Sequence, residues 1–417
     1  MKKLFTVLLI FSAFIKADSQ WILQTSPSIF DIFSGSFLDA NTGYISGYGN
    51  SIFKTTNGGQ NWINLSFAGT ANNINVIHFF DSNTGFVGST NDTVYRTTNG
   101  GLNWSTGSYI GFQPQSVSFP NTNTGFICGF GGLAKTTDAG LNWTSSFIST
   151  WGAVCFANSL TGWTSDINSG NSNIYKTTNG GNNWQLQATY SDFHYFYTFF
   201  FLNENTGWAG GYREFILKTT NGGINWITQN ENAGNPGIYS IYFTDENTGW
   251  AAADFSFSGG SKIFYTTNGG DTWSSFFLST NAGRLSTVQF VNQNTGFLTG
   301  QYGNVFKTSN RGGLTLIGIN NNETPPEYKL YQNYPNPFNP STKIRFEVPL
   351  NKGRLKGVVS LKVYDITGKE VATLVNEQLH PGSYEVVFDA GKLSSGIYFY
   401  RINADIYTDT RRMILLK

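Results

Sequence analysis

The stretch that decides the fold is "KTTNGGNNW", Lys176–Trp184. Nearly the same letters close on Trp62, Trp104, Trp143, Trp226 and Trp273. A seventh version, "KTSNRGGLTL", carries an extra residue and has Leu316 where Trp is due. Asn followed by Gly tolerates the positive φ of a tight hairpin, and the Asx side chain bonds nearby backbone N–H groups. The stretch therefore predicts a turn between two strands, with Trp opening the second.

Upstream of each turn lies a Thr-Gly-aromatic triplet, with its Gly at 43, 85, 125, 162, 207, 249 and 296. These seven copies are 37 to 47 residues apart. Six residues before each Gly is a Phe, from Phe37 to Phe290, and four before is Asp or Asn. Internal repetition at this period signals a repeat architecture. Each unit reads as four short strands: one ending in the Phe, one starting at the aromatic, one running into Lys-Thr-Thr, one following Trp. Four strands per repeat and seven repeats predict an all-β chain built on a seven-bladed β-propeller over residues 20–314. Trp21 opens "WILQTS", similar to the strands after Trp62 and Trp184 but without partners of its own. It is expected to supply the outermost strand of the last blade, close the ring and stand in for the missing Trp.

Composition agrees. Charged residues make up 12%, aromatics 16%, and there are 48 glycines among 417 residues, which suits strands and turns. Net charge is +1, so nothing argues for a nucleic-acid partner. Residues 18–314 hold 10 basic and 15 acidic side chains, whereas residues 328–417 hold 13 and 8. Pro325-Pro326 sits at that seam, and residues 315–327 are expected to be a linker. Residues 1–19 read as a secretory signal peptide: Lys2 and Lys3, then a mostly apolar run too short to span a bilayer. No transmembrane segment is expected in the mature chain. Cys128 and Cys155 are the two cysteines; a disulfide is permitted after export, and buried free thiols are the preferred reading.

The turns carry a resemblance. Thr266–Trp273, "TTNGGDTW", is similar to the Asp-box (the BNR repeat), and "TTDAGLNW" at 136–143 keeps its Asp as Asp138. The whole repeat resembles propellers of the photosystem II assembly and stability factor type. In Asp-box proteins the box is a structural turn, remote from the active site. Residues 328–417, with "YQNYPNPFNPSTKIRFEVPL", "LKVYDITGKEVATL", "PGSYEVVFDAGKLSSGIYFYRI" and "TRRMILLK", resemble a type IX secretion sorting domain of type A. Alternation at 343–348, 361–364, 384–388 and 397–402 reads as a small Ig-like β-sandwich. The resemblance implies export across the outer membrane of a Bacteroidetes-like bacterium, with the type IX machinery as partner. It also implies removal of this domain and release or surface attachment.

For function, both stereotyped turns should share one face of the propeller and the variable loops the other. From the aligned Gly to the position of the Lys in Lys-Thr-Thr is 10 or 11 residues in five blades, but 14 in blade four (Gly162 to Lys176) and 16 in blade six, where Tyr265 holds the position. The expected ligand-binding patch follows: Asp166, His194, Tyr195, Tyr212, Arg213, Glu214, Asp254, Phe255 and Phe257. Aromatic faces with a few polar groups suit a sugar or an extended peptide. No catalytic residue, metal ligand or cofactor is assigned. A sialidase needs three converging arginines, and the propeller has only Arg96, Arg213, Arg284 and Arg311. Asp166, Glu214 and Asp254 could furnish a glycosidase pair. His78 is expected on a strand surface, and the basic row from Lys54 to Lys307 is expected to be structural. The preferred function is non-catalytic binding of protein or glycan at or beyond the cell surface. A secreted glycoside hydrolase and an assembly factor for another exported protein are the alternatives.

Overall fold

A computed structural model describes residues 21–66, 72–105, 107–146, 152–191, 194–231, 237–254, 261–278, 283–309, 311–313, 318–319, 325–349, 357–379, 382–391, 393–404 and 407–417. Phe255, Phe257, Leu316 and the expected signal peptide lie outside these residues. The chain divides into two compact units, with the boundary between Gly312 and Gly313.

The first unit is seven four-stranded antiparallel sheets. Blade one runs Ile32–Phe37, Gly43–Gly47, Ile52–Thr55 and Ile63–Asn64, and strand order follows chain order. The aligned Gly starts strand two in all seven blades, and Thr ends strand three. Inner strands of successive blades pack side by side, and Ile32–Phe37 also packs against Leu285–Phe290, which closes the ring. Blade seven takes its outermost strand from the N-terminus: Ile22 pairs with Lys307 and Leu23 with Phe306. Trp21 is buried and meets Phe290 edge-on at 5.7 Å. In blades two to six the strand-four Trp meets its own blade's Phe in the same way, at 5.8 to 6.2 Å. Trp21 thus takes in blade seven the place that the strand-four Trp takes in blades two to six.

What repeats in the sequence also joins blade to blade. The strand-two aromatic of each blade stacks on the Phe of the next: Tyr44 on Phe79, Trp163 on Phe201, Trp208 on Phe243, and finally Phe297 on Phe37 at 4.0 Å. Each such pair adds about 0.5–1.5 kcal/mol beyond the area it buries. The same Phe explains the invariant Gly: a Cβ at Gly43 or Gly125 would overlap the ring of Phe37 or Phe119.

The second unit is a β-sandwich of two four-stranded sheets. One holds Ser341–Val348 and Gly382–Asp389; the other holds Gly357–Tyr364, Glu370–Leu379, Gly396–Ala404 and Tyr407–Leu415. Ile344, Phe346, Leu361, Val386, Tyr400 and Met413 fill the space between them. Gly318–Ile319, inside the segment expected to be a linker, pairs with Tyr384 and Glu385 as an edge strand. Among the described residues no helix is long and apolar enough to cross a membrane.

Candidate functional site

The stereotyped face is occupied by its own hydrogen bonds. In blade four Thr177 Oγ1 accepts from the Gly181 N–H at 3.0 Å, and Asn179 Oδ1 accepts from the Asn183 N–H at 3.0 Å. Asp138 plays the Asn179 part in blade three, where bonds from Asn142 hold its pKa down to about 2. In every blade this turn then bonds the Asx turn beside it: Gly58 N–H to the Asn41 carbonyl, Gly180 N–H to Leu160, and so to Arg311 N–H and Asn294. The two turns therefore lie on one face, as the repeat predicts. The basic row is also engaged. Lys135 Nζ lies over Phe126 at 5.5 Å and donates to the Gly180 carbonyl of the next blade at 2.6 Å. Lys307 does the same with Phe297 and Ala40, across the closure. These cations clamp neighbouring blades.

The opposite face begins at the start of each inner strand, and there six of the seven blades carry a β-bulge. A bulge re-aims the extra side chain. In blades five (strands Phe196–Phe201, Gly207–Gly211, Phe215–Thr219 and Ile227–Asn230) and six (Ile238–Phe243, Gly249–Ala253, Lys262–Thr266 and Ser274–Phe277) the extra residues are Tyr197 and Tyr239. Their rings stack at 4.8 Å with a 6° tilt. Arg284 lies over Tyr239 at 5.1 Å. A Cβ at Gly237 would come within 2.5 Å of the Tyr197 ring, so a side chain there would push the pair apart.

The expected patch is partly assembled around this pair. Tyr212 is 39% exposed, meets Tyr195 edge-on at 6.0 Å, and has Arg213 over its ring at 5.8 Å. Tyr195, Tyr212, Tyr239 and Arg284 are all near enough to bias the Tyr197 hydroxyl, whose pKa is raised first by burial and then by the three phenols. Burial likewise raises the Tyr239 pKa, Arg284 lowers it, and Asp254 raises it. His194 is buried and stacks on Phe215 at 4.1 Å; its carbonyl accepts from the Tyr212 N–H at 2.7 Å. It supports the loop from beneath.

Two carboxylates stand elsewhere than the sequence suggests. Asp166 is in a strand, because the extra residues of blade four lengthen its hairpin (Gly162–Asn168 and Asn171–Thr177) and leave only Ser169-Gly170 as the turn. It accepts from Asn173 at 2.7 Å and from the Tyr175 hydroxyl at 3.0 Å. Glu214 is 1% exposed, and Lys262 Nζ of blade six grips both its oxygens at 2.9 and 3.1 Å. A buried charge needs such a partner, so Glu214 and Lys262 link two blades. Tyr197, Tyr239, Lys262 and Arg284 are not legible as site residues in the sequence; an aromatic stands in the second position of the inner strands of blades five and six, but blade one has Phe33 there too.

His78 differs from the expected strand-surface histidine. It sits between blades two and three, stacked on Phe119 at 5.2 Å and edge-on to Phe80 at 4.9 Å, and burial lowers its pKa to about 4. Its slot joins blades elsewhere: Ser36 accepts from the Phe79 N–H, Ser118 from Phe156, and Gln289 from Phe37. Cys128 and Cys155 are both free thiols, and burial raises their pKa values. Among the described residues no group of His, Cys, Asp or Glu could hold a metal ion.

Comparison with known proteins fits this anatomy. Residues 63–193 match the family model of the photosynthesis system II assembly factor YCF48, and residues 332–416 match that of the secretion system C-terminal sorting domain. The chain thus joins a propeller of the assembly-factor type to a type IX secretion sorting domain, which directs it to the cell surface or the medium. Among solved structures, "YCF48 bound to D1 peptide" is 17% identical at a TM-score of 0.57, covering 69% of this chain and 96% of that one. YCF48 from Cyanidioschyzon merolae is 18% identical at 0.54, covering 69% and 98%. PorZ, a surface component of the type IX secretion system of Porphyromonas gingivalis, is 13% identical at 0.51 and covers 96% of this chain and 59% of that chain. At these identities the structural likeness shows the fold alone. Comparison with curated proteins gives no match.

Proposed function

We propose that the exported propeller is a non-catalytic binding module, for protein or glycan, and that its site is the corner of blades five and six on the face opposite the Asp-box turns. One observation carries the reading: Tyr195, Tyr197, Tyr212 and Tyr239 converge there with Arg213 and Arg284, while the other face consumes its polar groups in turns. A solved neighbour of the same fold has a peptide bound, which supports binding as a role for this architecture. Hydrolysis is less well supported. A glycosidase needs two carboxylates with access to substrate. Glu214 is buried against Lys262, and Asp166 is held by Asn173 and Tyr175.

The test is a glycan array and an extracellular-protein pull-down with the full secreted chain, beside a polysaccharide-cleavage assay. Retention of a ligand that Arg213→Ala weakens is expected. Cleavage of a polysaccharide with no retained ligand would overturn the reading.

A further inference from the structure

We propose that the blade five–six corner is a site for an acidic polysaccharide, with Arg213 and Arg284 as its carboxylate contacts; this deepens, and rests on, the binding reading above.

The first argument is what the aromatic rings are already doing. Tyr239 carries Tyr197 at 4.8 Å and Arg284 at 5.1 Å, and Tyr212 carries Arg213 at 5.8 Å. A neutral sugar held by stacking needs an open ring face. The Tyr197 and Tyr239 faces hold each other, Arg284 lies over Tyr239, and Arg213 lies over one face of Tyr212. What the corner presents is guanidinium N–H groups and phenolic hydroxyls.

The second argument is charge. Among the described residues neither Arg213 nor Arg284 forms a salt bridge. Both are half-buried. Arg284 bonds the Tyr239 hydroxyl, on which Asp254 also acts; Arg213, laid on the Tyr212 ring and outside every salt bridge among the described residues, is preorganised for bidentate capture of a carboxylate.

The third argument is the backbone. Arg213 and Glu214 both have positive φ, 64° and 53°, and Tyr195 opposite them has 37°. A turn of this kind favours Asn-Gly, and side chains larger than Gly are strained in it. The buried Glu214–Lys262 pair fixes the second residue of the turn across the blade boundary. The strain is thus held by a device whose visible result is Arg213 poised over Tyr212. Lys262 is a positioning residue here.

The choice of a polysaccharide over an acidic peptide follows from the strand edges. Bulges at Tyr197 and Tyr239 interrupt both inner strands at this mouth, so neither edge offers a regular ladder to an added strand. The phenolic hydroxyls and the two guanidinium groups instead match a molecule that combines carboxylates with hydroxyl groups.

The experiment is titration calorimetry of the full secreted chain with polygalacturonate, dextran and polyglutamate. Polygalacturonate should bind, more weakly as salt rises, and dextran should not. Arg213→Ala combined with Arg284→Ala should weaken binding at least about tenfold, with thermal unfolding unchanged. Arg213→Lys should also weaken it, because a lysine has the charge without the fork. Lys262→Met should weaken polygalacturonate binding, and the near-ultraviolet dichroism of the tyrosines should change with it. Polygalacturonate binding that the double substitution leaves intact would overturn the proposal. Polyglutamate bound with polygalacturonate silent would overturn the polysaccharide assignment and leave the binding reading standing. Silence of all three, with another ligand retained on the array, has the same consequence. Silence everywhere removes both.

Discussion

Trp21→Ala is the sharpest test of how the ring closes. Trp21 is 2% exposed, lies edge-on to Phe290 at 5.7 Å, and packs beneath Gly312, where an added Cβ would approach its indole to 2.7 Å. Removing a buried Trp costs roughly 3–5 kcal/mol from lost transfer energy and the cavity left behind. The strand it anchors is short, with Ile22 and Leu23 paired to Lys307 and Phe306 and Gln24 N–H bonded to the Val305 carbonyl. Loss of the anchor therefore frees the outer edge of blade seven as well. At roughly 2–4 °C per kcal/mol for a domain of a few hundred residues, the midpoint should fall by about 6–20 °C. Scanning calorimetry of the secreted chain measures it. Trp62→Ala is the control: it sits in the equivalent place in blade one, is only half-buried, and its strand continues from its own blade, so the fall should be smaller. A Trp21→Ala midpoint no lower than that of Trp62→Ala would refute N-terminal closure.

Glu214→Gln leaves Lys262 charged and buried without its partner, which should destabilise the propeller by about 3–5 kcal/mol in a denaturant titration. Glu214→Leu with Lys262→Met should recover most of that loss. His78 contributes a pH dependence whose sign follows from its lowered pKa: the unfolded chain binds the proton below about 6.5 and the folded chain only below about 4. Its stabilising effect is complete above pH 6.5 and is lost as pH falls towards 4, so His78→Phe should flatten the Tm–pH profile across that window. Deleting residues 328–417 should retain the protein in the periplasm, as fractionation and blotting would detect; unchanged export would contradict the sorting assignment.

Much of the fold is legible in the sequence because the repeat is physical. Each recurring letter has one task in every blade: Asp39 and its equivalents accept two turn N–H groups, Thr55 and its equivalents accept the Gly N–H, and Phe37 overlies its Gly. Seven copies of one constraint average out the noise of any single turn. The candidate site lacks that redundancy. Tyr197 and Tyr239 are re-aimed by bulges, which depend on a register shift between two strands that the order of residues does not spell out. Asp166 reads as a loop residue because extra length suggests a loop, whereas the added residues continue the pairing from Ser165–Ile174 to Asn168–Asn171. Glu214 reads as an exposed carboxylate because its partner Lys262 belongs to the next blade, 48 residues away in sequence.

Hydrogen–deuterium exchange of the full secreted chain, with and without the ligand recovered from the screen, tests the central claim most directly. Protection should appear at residues 194–197, 211–215 and 237–239 and next to Arg284, with the Asn-Gly-Gly turns unchanged. Protection confined to those turns would contradict the account.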